Sequence, residues 1–258
     1  MPRFAANLST LFTERPFLDR FQAAADAGFA GVEIQFPYEH PTDAIRHRLE
    51  ATGLELVLFN LPPGDWAAGD RGLGALPGRE KELDQALETA LEYARALNCR
   101  MLHVMAGVAP KTLDNTAYLR AFGANLRRLA PKAAEAGRTL LLEPINDRDM
   151  PGYVVNRTED ALSLIEAIGD PTIRLQLDLY HRQVTQGDLI RTIERTAPVL
   201  GHVQIAGAPE RSEPDRGEIH YPALFDALDA VGYDGWIGCE YFPSGRTEDG
   251  LGWLAAYR

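Results

Sequence analysis

The chain has 258 residues, close to the size of one complete eight-stranded α/β barrel. Lysine and arginine number 26 against 37 aspartates and glutamates, a net charge of −11 that repels phosphate backbones and disfavours nucleic-acid binding. Hydrophobic residues make up 45% and charged residues 24%, an ordinary globular composition, and no apolar run approaches the roughly 18 residues of a membrane span.

Short apolar runs of strand type alternate with longer stretches of helical type throughout. In chain order, strands are expected at 4–9, 31–35, 54–60, 101–106, 139–144, 173–179, 201–206 and 236–241. The helices fall at 17–27, 42–51, 80–97, 113–136, 158–168, 189–196 and 221–231. Leu119, Phe122, Leu126, Leu129 and Ala133 recur at three- and four-residue steps, giving the fourth helix one apolar face, and Pro131 inside it should kink it or divide it in two. Gly28, Gly53, Gly137 and Gly232 each follow a helical stretch, where a left-handed residue closes the last turn.

No linker or shift of composition divides residues 1–258, which read as one domain. Alternating strand and helix means parallel strands with right-handed crossovers. A doubly wound sheet competes, but the turn at 9–17 contains no glycine and so no dinucleotide-binding fingerprint. Eight units in this length predict closure into a (β/α)8 TIM barrel. Met1, Pro2, Arg3 and Phe4 start no signal-peptide pattern, so an unexported, cytoplasmic protein is expected. Cys99 and Cys239 lack metal-knuckle spacing and read as buried thiols.

Side chains two apart on a strand share a face. Val32 and Ile34 therefore oppose Glu33 and Gln35, and Leu102 and Val104 oppose His103. Leu140 and Leu142 oppose Leu141 and Glu143; Ile173, Leu175 and Leu177 oppose Arg174, Gln176 and Asp178. Val203 and Ile205 oppose His202 and Gln204, and Ile237 and Cys239 oppose Gly238 and Glu240. The aliphatic set should pack on outer helices and the polar set should line the barrel. Any one of these polar residues is readily explained as half of a buried hydrogen-bonded pair. Taken together, Glu143, Asp178, Gln204 and Glu240 fall near the C-terminal ends of consecutive strands, the end that carries active sites in barrels. Their intervals of 35, 26 and 36 residues are about one strand–helix unit each. Three carboxylates and an amide would repel unless a cation or shared proton offset their charge. An all-oxygen set suits Mg²⁺ or Mn²⁺ better than zinc, so a divalent metal site is expected.

The spaced motifs Leu142-Glu143-Pro144-Ile145-Asn146, Leu177-Asp178-Leu179-Tyr180-His181, His202-Val203-Gln204-Ile205-Ala206 and Cys239-Glu240-Tyr241 resemble those of the hydroxypyruvate isomerase family, within the xylose-isomerase-like barrels. The resemblance extends over Asn7-Leu8-Ser9, Glu33-Ile34-Gln35-Phe36-Pro37-Tyr38, Phe59-Asn60-Leu61-Pro62, Gly64-Asp65-Trp66 and residues 211–221, nearly the whole chain. It implies metal ligands at Glu143, Asp178, Gln204 and Glu240, with Glu143 and Glu240 doubling as proton acceptor and donor. His181 and Arg211 match substrate-contacting positions in related sugar epimerases. Asn7, Asn60 and Arg71 join them as expected substrate contacts, Arg71 lying in a glycine-rich loop long enough to be a lid or binding loop.

The resemblance implies interconversion of hydroxypyruvate and tartronate semialdehyde (2-hydroxy-3-oxopropanoate) by proton transfer through an enediolate. Many ketose 3-epimerases carry histidine where this chain has Gln204, which disfavours that activity. A nearer alternative is 2-oxotetronate isomerase, because Gly207 and Ala208 stand where many hydroxypyruvate isomerases carry Asp/Asn or Val. The expected partner is a small hydroxy-keto acid; a homo-oligomer is an open alternative, since no surface stripe marks an interface. A metal-dependent nuclease would need a histidine-rich multi-zinc site and a basic face, against six histidines and a charge of −11. A catalytically retired barrel is disfavoured because all four expected ligands are present.

Overall fold

Branched aliphatic residues alternating with polar ones favour extended backbone with one buried face. In the computed structural model, which describes residues 2–110 and 114–257, these runs form β1 (Arg3–Asn7), β2 (Gly31–Ile34), β3 (Glu55–Asn60), β4 (Met101–His103), β5 (Thr139–Leu142), β6 (Ile173–Asp178), β7 (Leu200–Ile205) and β8 (Trp236–Cys239). The strands close into a barrel in sequence order. Every neighbouring pair is parallel, and β8 returns to β1 with Phe4 opposite Ile237.

The outer helices are α1 (Arg20–Asp26), α2 (Thr42–Thr52), α3 (Glu80–Ala96), α4 (Asn115–Glu135), α5 (Thr158–Ile168), α6 (Leu179–Thr185), α7 (Leu189–Thr196) and α8 (Tyr221–Ala230). The outward aliphatic set packs on them as expected. Ile34, Leu102, Leu142, Leu175, Leu177, Val203 and Ile205 share one apolar cluster with Ile45, Leu87, Leu126, Ile165 and Leu224 of the helices. Burial of such a side chain contributes roughly 1.5–3 kcal/mol. Gly28, Gly53, Gly137 and Gly232 all adopt positive φ past their helices.

Inside the barrel the side chains divide by level. Ala5, Val57, Leu58, Leu141 and Trp236 form a separate apolar cluster. Further toward the C-terminal ends, Asn7 two residues after Ala5, Glu143 two after Leu141 and Glu240 four after Trp236 are buried polar groups. Glu33, His103, Gln176, Asp178, His202 and Gln204 are buried as well. The interior is therefore sealed with apolar side chains toward the strand starts and polar toward the strand ends.

Three expectations need correction. Pro131 does not divide the fourth helix: α4 runs continuously from Asn115 to Glu135, with Leu129, Ala130 and Ala133 buried around the proline. That packing carries the helix across the missing hydrogen bond; Leu113, where the helix was expected to begin, lies outside the described residues. Second, α6 was not anticipated, and neither was the 3-10 segment Thr247–Tyr257. Third, the strands end earlier than their apolar runs. Residues such as Glu143 and Glu240 lie one position beyond β5 and β8, where the parallel ladder stops and the chain turns outward.

Candidate active site

Asp178 ends β6 and caps α6. Its Oδ1 accepts from the backbone N–H of Tyr180 at 2.8 Å and of His181 at 3.2 Å, satisfying two of the donors that a helix start leaves open. The cap leaves Oδ2 buried without a hydrogen-bond partner. It lies 3.6 Å from His181 Nε2 and 3.5 Å from Arg211 Nη2. Glu143 has the same character: Oε1 is buried without a partner, 3.8 Å from His181 Nε2, while Oε2 lies 3.6 Å from His103 Nδ1. Ligand atoms of Glu143, Asp178 and His181 all fall within 4.8 Å of one another.

Glu240 is better supplied with donors. Its Oε1 accepts from Gln35 Nε2 at 2.7 Å and Asn7 Nδ2 at 3.2 Å, and its Oε2 accepts from Arg211 Nη2 at 3.0 Å. Arg211 thus bridges Glu240 and Asp178, with Asp149 Oδ2 3.5 Å from its other terminal nitrogen. Its backbone sits at φ 53°, a left-handed conformation costing a non-glycine residue roughly 1–2 kcal/mol. The Phe242 N–H donates to the Arg211 carbonyl at 2.8 Å and holds it there.

Burial and crowding set the charges. Burial, reinforced by Glu240 and Asp178, holds the Glu143 carboxyl well above the usual range. Burial also raises Asp178, against the opposing pull of Arg211, and pushes Glu240 up to about 7 despite the same guanidinium. Burial, then the Arg211 charge, keeps His181 well below its ordinary value, and burial drives His103 down to about 3. Both imidazoles are therefore neutral near pH 7. Asn146 Nδ2 donates to His181 Nδ1 at 2.7 Å, so Nε2 is the ring nitrogen turned toward the carboxylates and Arg211, whose Nη2 lies 3.4 Å away.

Of the residues expected from sequence, Glu143, Asp178, Glu240, His181 and Arg211 converge. Gln204 stands directly across from Asp178 in the β6–β7 register; its Oε1 accepts from Gln176 at 2.7 Å and its Nε2 donates to Glu33 at 2.9 Å. Asn7 touches Glu240, whereas Asn60 reaches the cluster only through His103, whose Nδ1 lies 3.3 Å from its Oδ1. Arg71 is not brought to the cluster. Its guanidinium stacks 3.9 Å over Trp66 and donates to the carbonyls of Trp66 and Asp70. Trp66 in turn packs on Phe36 at 5.3 Å. Gln35, His103 and Asn146 gained no role from sequence although their segments were noted, and Asp149 was missed, since its loop carries no periodic signal.

Two buried carboxylate oxygens without donors, next to a third carboxylate and an imidazole, fit a divalent cation. The donors are mostly oxygen, which matches a hard ion. Glu143, Asp178 and His181 form a buried group able to hold such an ion.

Residues 21–257 match the profile of the family described as Xylose isomerase-like TIM barrel. A 2-oxo-tetronate isomerase from Cupriavidus necator is 51% identical over 257 residues, covering 100% of this chain and 99% of its own. A hydroxypyruvate isomerase from Escherichia coli is 43% identical over 258 residues, covering 100% of both. A solved structure from Brucella melitensis, described as an AP endonuclease of family 2, superposes with a TM-score of 0.98 at 52% identity, covering 100% of both chains.

Proposed function

The chain belongs to the xylose isomerase-like TIM barrel family, and we propose that it is an isomerase that moves a carbonyl between neighbouring carbons of a small hydroxy-keto acid. The reaction we favour interconverts hydroxypyruvate and tartronate semialdehyde. The observation that carries this reading is the convergence of Glu143, Asp178 and His181, with Arg211 bridging Asp178 and Glu240 and one donorless oxygen each on Glu143 and Asp178. The name of the 51%-identical relative favours a second substrate, the four-carbon 2-oxotetronate. Both acids require the same step: a proton leaves C3, beside the C2 carbonyl, and one returns at C2, while the C3 hydroxyl proton is lost and the C2 oxygen gains one.

Glu143 and Glu240 come from strands three apart in a ring of eight, so both reach a substrate held at the mouth. One removes the proton and the other returns it; burial raises both carboxyls, Glu240 to about 7, which suits proton exchange by that residue near neutral pH. Arg211 supplies positive charge for the substrate carboxylate, and His181, held through Nδ1 by Asn146, turns its Nε2 toward the same space. Glu143, Asp178, Gln204 and Glu240 would hold Mg²⁺ or Mn²⁺, with His181 alongside. Such an ion supplies stabilisation of the negative charge that develops on the substrate oxygens. Phe242, exposed and 5.9 Å from the Arg211 guanidinium, places apolar surface beside the substrate that limits water once it is bound.

A nuclease activity, suggested by the description of the Brucella structure, is not favoured. Among the described residues the ligand group contains one histidine, and the net charge is −11. The deciding assay offers hydroxypyruvate and 2-oxotetronate to chelator-treated protein, with Mg²⁺ or Mn²⁺ then restored. Turnover is expected to vanish on chelation and return with either ion. Unchanged turnover after complete metal removal would contradict the metal assignment, and no turnover of either acid would contradict the isomerase.

A further inference from the structure

Glu33 lies on the inner face of β2, 1% exposed, and its two carboxylate oxygens serve different groups. Oε1 meets Nε2 of His202, which is 0% exposed. Oε2 accepts from Gln204 Nε2 at 2.9 Å and from Asn7 Nδ2 at 3.3 Å. The same Asn7 nitrogen donates to Glu240 Oε1 at 3.2 Å. Ser9 N–H donates to Asn7 Oδ1 at 3.0 Å, so the end of Asn7 that faces the carboxylates is fixed. Gln204 cannot turn over either: its nitrogen is held by Glu33 and its oxygen by Gln176.

The backbone is shaped to admit this carboxylate. Any Cβ at position 238 would collide with the Glu33 carboxyl group, and Gly238 leaves that space open. A buried carboxylate carries a desolvation cost of several kcal/mol, and barrels ordinarily fill such positions with branched aliphatics. Pairing with His202 would occupy one oxygen only. The second is aimed at two residues that adjoin the acidic cluster, Gln204 across from Asp178 and Asn7 against Glu240.

Granted the isomerase reading, we propose that Glu33 is a positioning residue for the same reaction: it fixes the amide of Gln204 and, through Asn7, the carboxylate of Glu240. Glu33 does not touch the substrate. Residues that orient a metal's ligands, when replaced, typically lower metal affinity or activity by about 10–100-fold.

The test compares wild type with Glu33→Gln, Glu33→Met and Glu33→Asp. Each is measured for kcat and KM with both acids and for Mn²⁺ affinity by calorimetric titration of metal-free protein, with melting temperature as the fold check. Glutamine keeps an oxygen for Gln204 and Asn7 and offers an N–H to His202, so it stays within about tenfold of wild type. Methionine keeps the length without the acceptor, so kcat and Mn²⁺ affinity each fall by roughly 10–100-fold while KM stays close to wild type. Should Glu33→Met fail to fold, Glu33→Asp carries the test, because it keeps the charge and withdraws the acceptor by one methylene. Wild-type kcat and Mn²⁺ affinity in the methionine or aspartate variant would overturn the proposal, as would a loss confined to melting temperature. A glutamine variant as impaired as the methionine variant would overturn it too. Absence of turnover in wild type would sink the isomerase reading instead, and the Mn²⁺ titration, which needs no substrate, would still decide the role of Glu33.

Discussion

Asp178 does two jobs with its two oxygens, one closing the start of α6 and the other facing Arg211 and His181. Such sharing explains why Asp178 stands at the end of its strand, where the chain leaves the ladder and α6 offers free N–H groups. The convergence of Glu143, Asp178, Gln204 and Glu240 was legible in the sequence, because a period of two places them on one face and each falls near the C-terminal end of its own strand. What surrounds them was not legible. Asp149 and Arg71 lie on loops with no periodicity, and only the fold shows that Asp149 meets Arg211 while Arg71 stacks on Trp66. Gly238 gives a prediction at this scale. Gly238→Ala would press a methyl group into the Glu33 carboxyl, and overpacking of this kind costs about 1–3 kcal/mol. Urea denaturation should register that loss together with reduced turnover; wild-type values of both would show that the site has room to spare.

At the scale of elements, the eight strands and seven of the eight outer helices follow from apolar periodicity. The exception, α6, spans Leu-Tyr-His-Arg-Gln-Val-Thr and buries Leu179, Tyr180, His181 and Arg182 in succession. Four consecutive buried residues present no helical stripe to read, and the helix exists because Asp178 caps it and the barrel mouth covers it. Glu159 in the first turn of α5 ties this region together, accepting from Arg182 at 3.1 Å, Arg195 at 2.7 Å and Gln186 at 2.7 Å. Partial burial works against its charge, but these donors hold the carboxyl down to about 2. A folded-state value below the unfolded one means the stabilisation is complete above the unfolded carboxyl's range near pH 4 and is lost as pH falls toward 2. Because the side chain is 39% exposed, the contribution is no more than about 1 kcal/mol. Glu159→Gln should therefore lower the melting temperature by roughly 2–4 °C at pH 7, with the gap closing near pH 2. A gap that persisted there would show that charge is not its source.

For the whole molecule, the net charge of −11 takes on a specific meaning. Glu33, Glu143, Asp178 and Glu240 are all buried within the upper barrel, where Arg211 reaches Asp178 and Glu240. A closed, parallel barrel brings these groups from strands distant in sequence to one mouth, and the apolar cluster of Ala5, Val57, Leu58, Leu141 and Trp236 seals the interior behind them. The size of the chain and its eight repeated units were enough to suggest this architecture, whereas the polar upper layer depended on reading each strand face by face. The central claim is that Glu143 and Glu240 exchange the proton between C2 and C3 of a hydroxy-keto acid. Its most direct measurement is turnover of hydroxypyruvate and 2-oxotetronate by Glu143→Gln and Glu240→Gln, each checked for an unchanged melting profile. Each folded variant is expected to lose at least about 100-fold in kcat, the lower range for removal of a general acid or base. Near-normal turnover in either variant would contradict the claim.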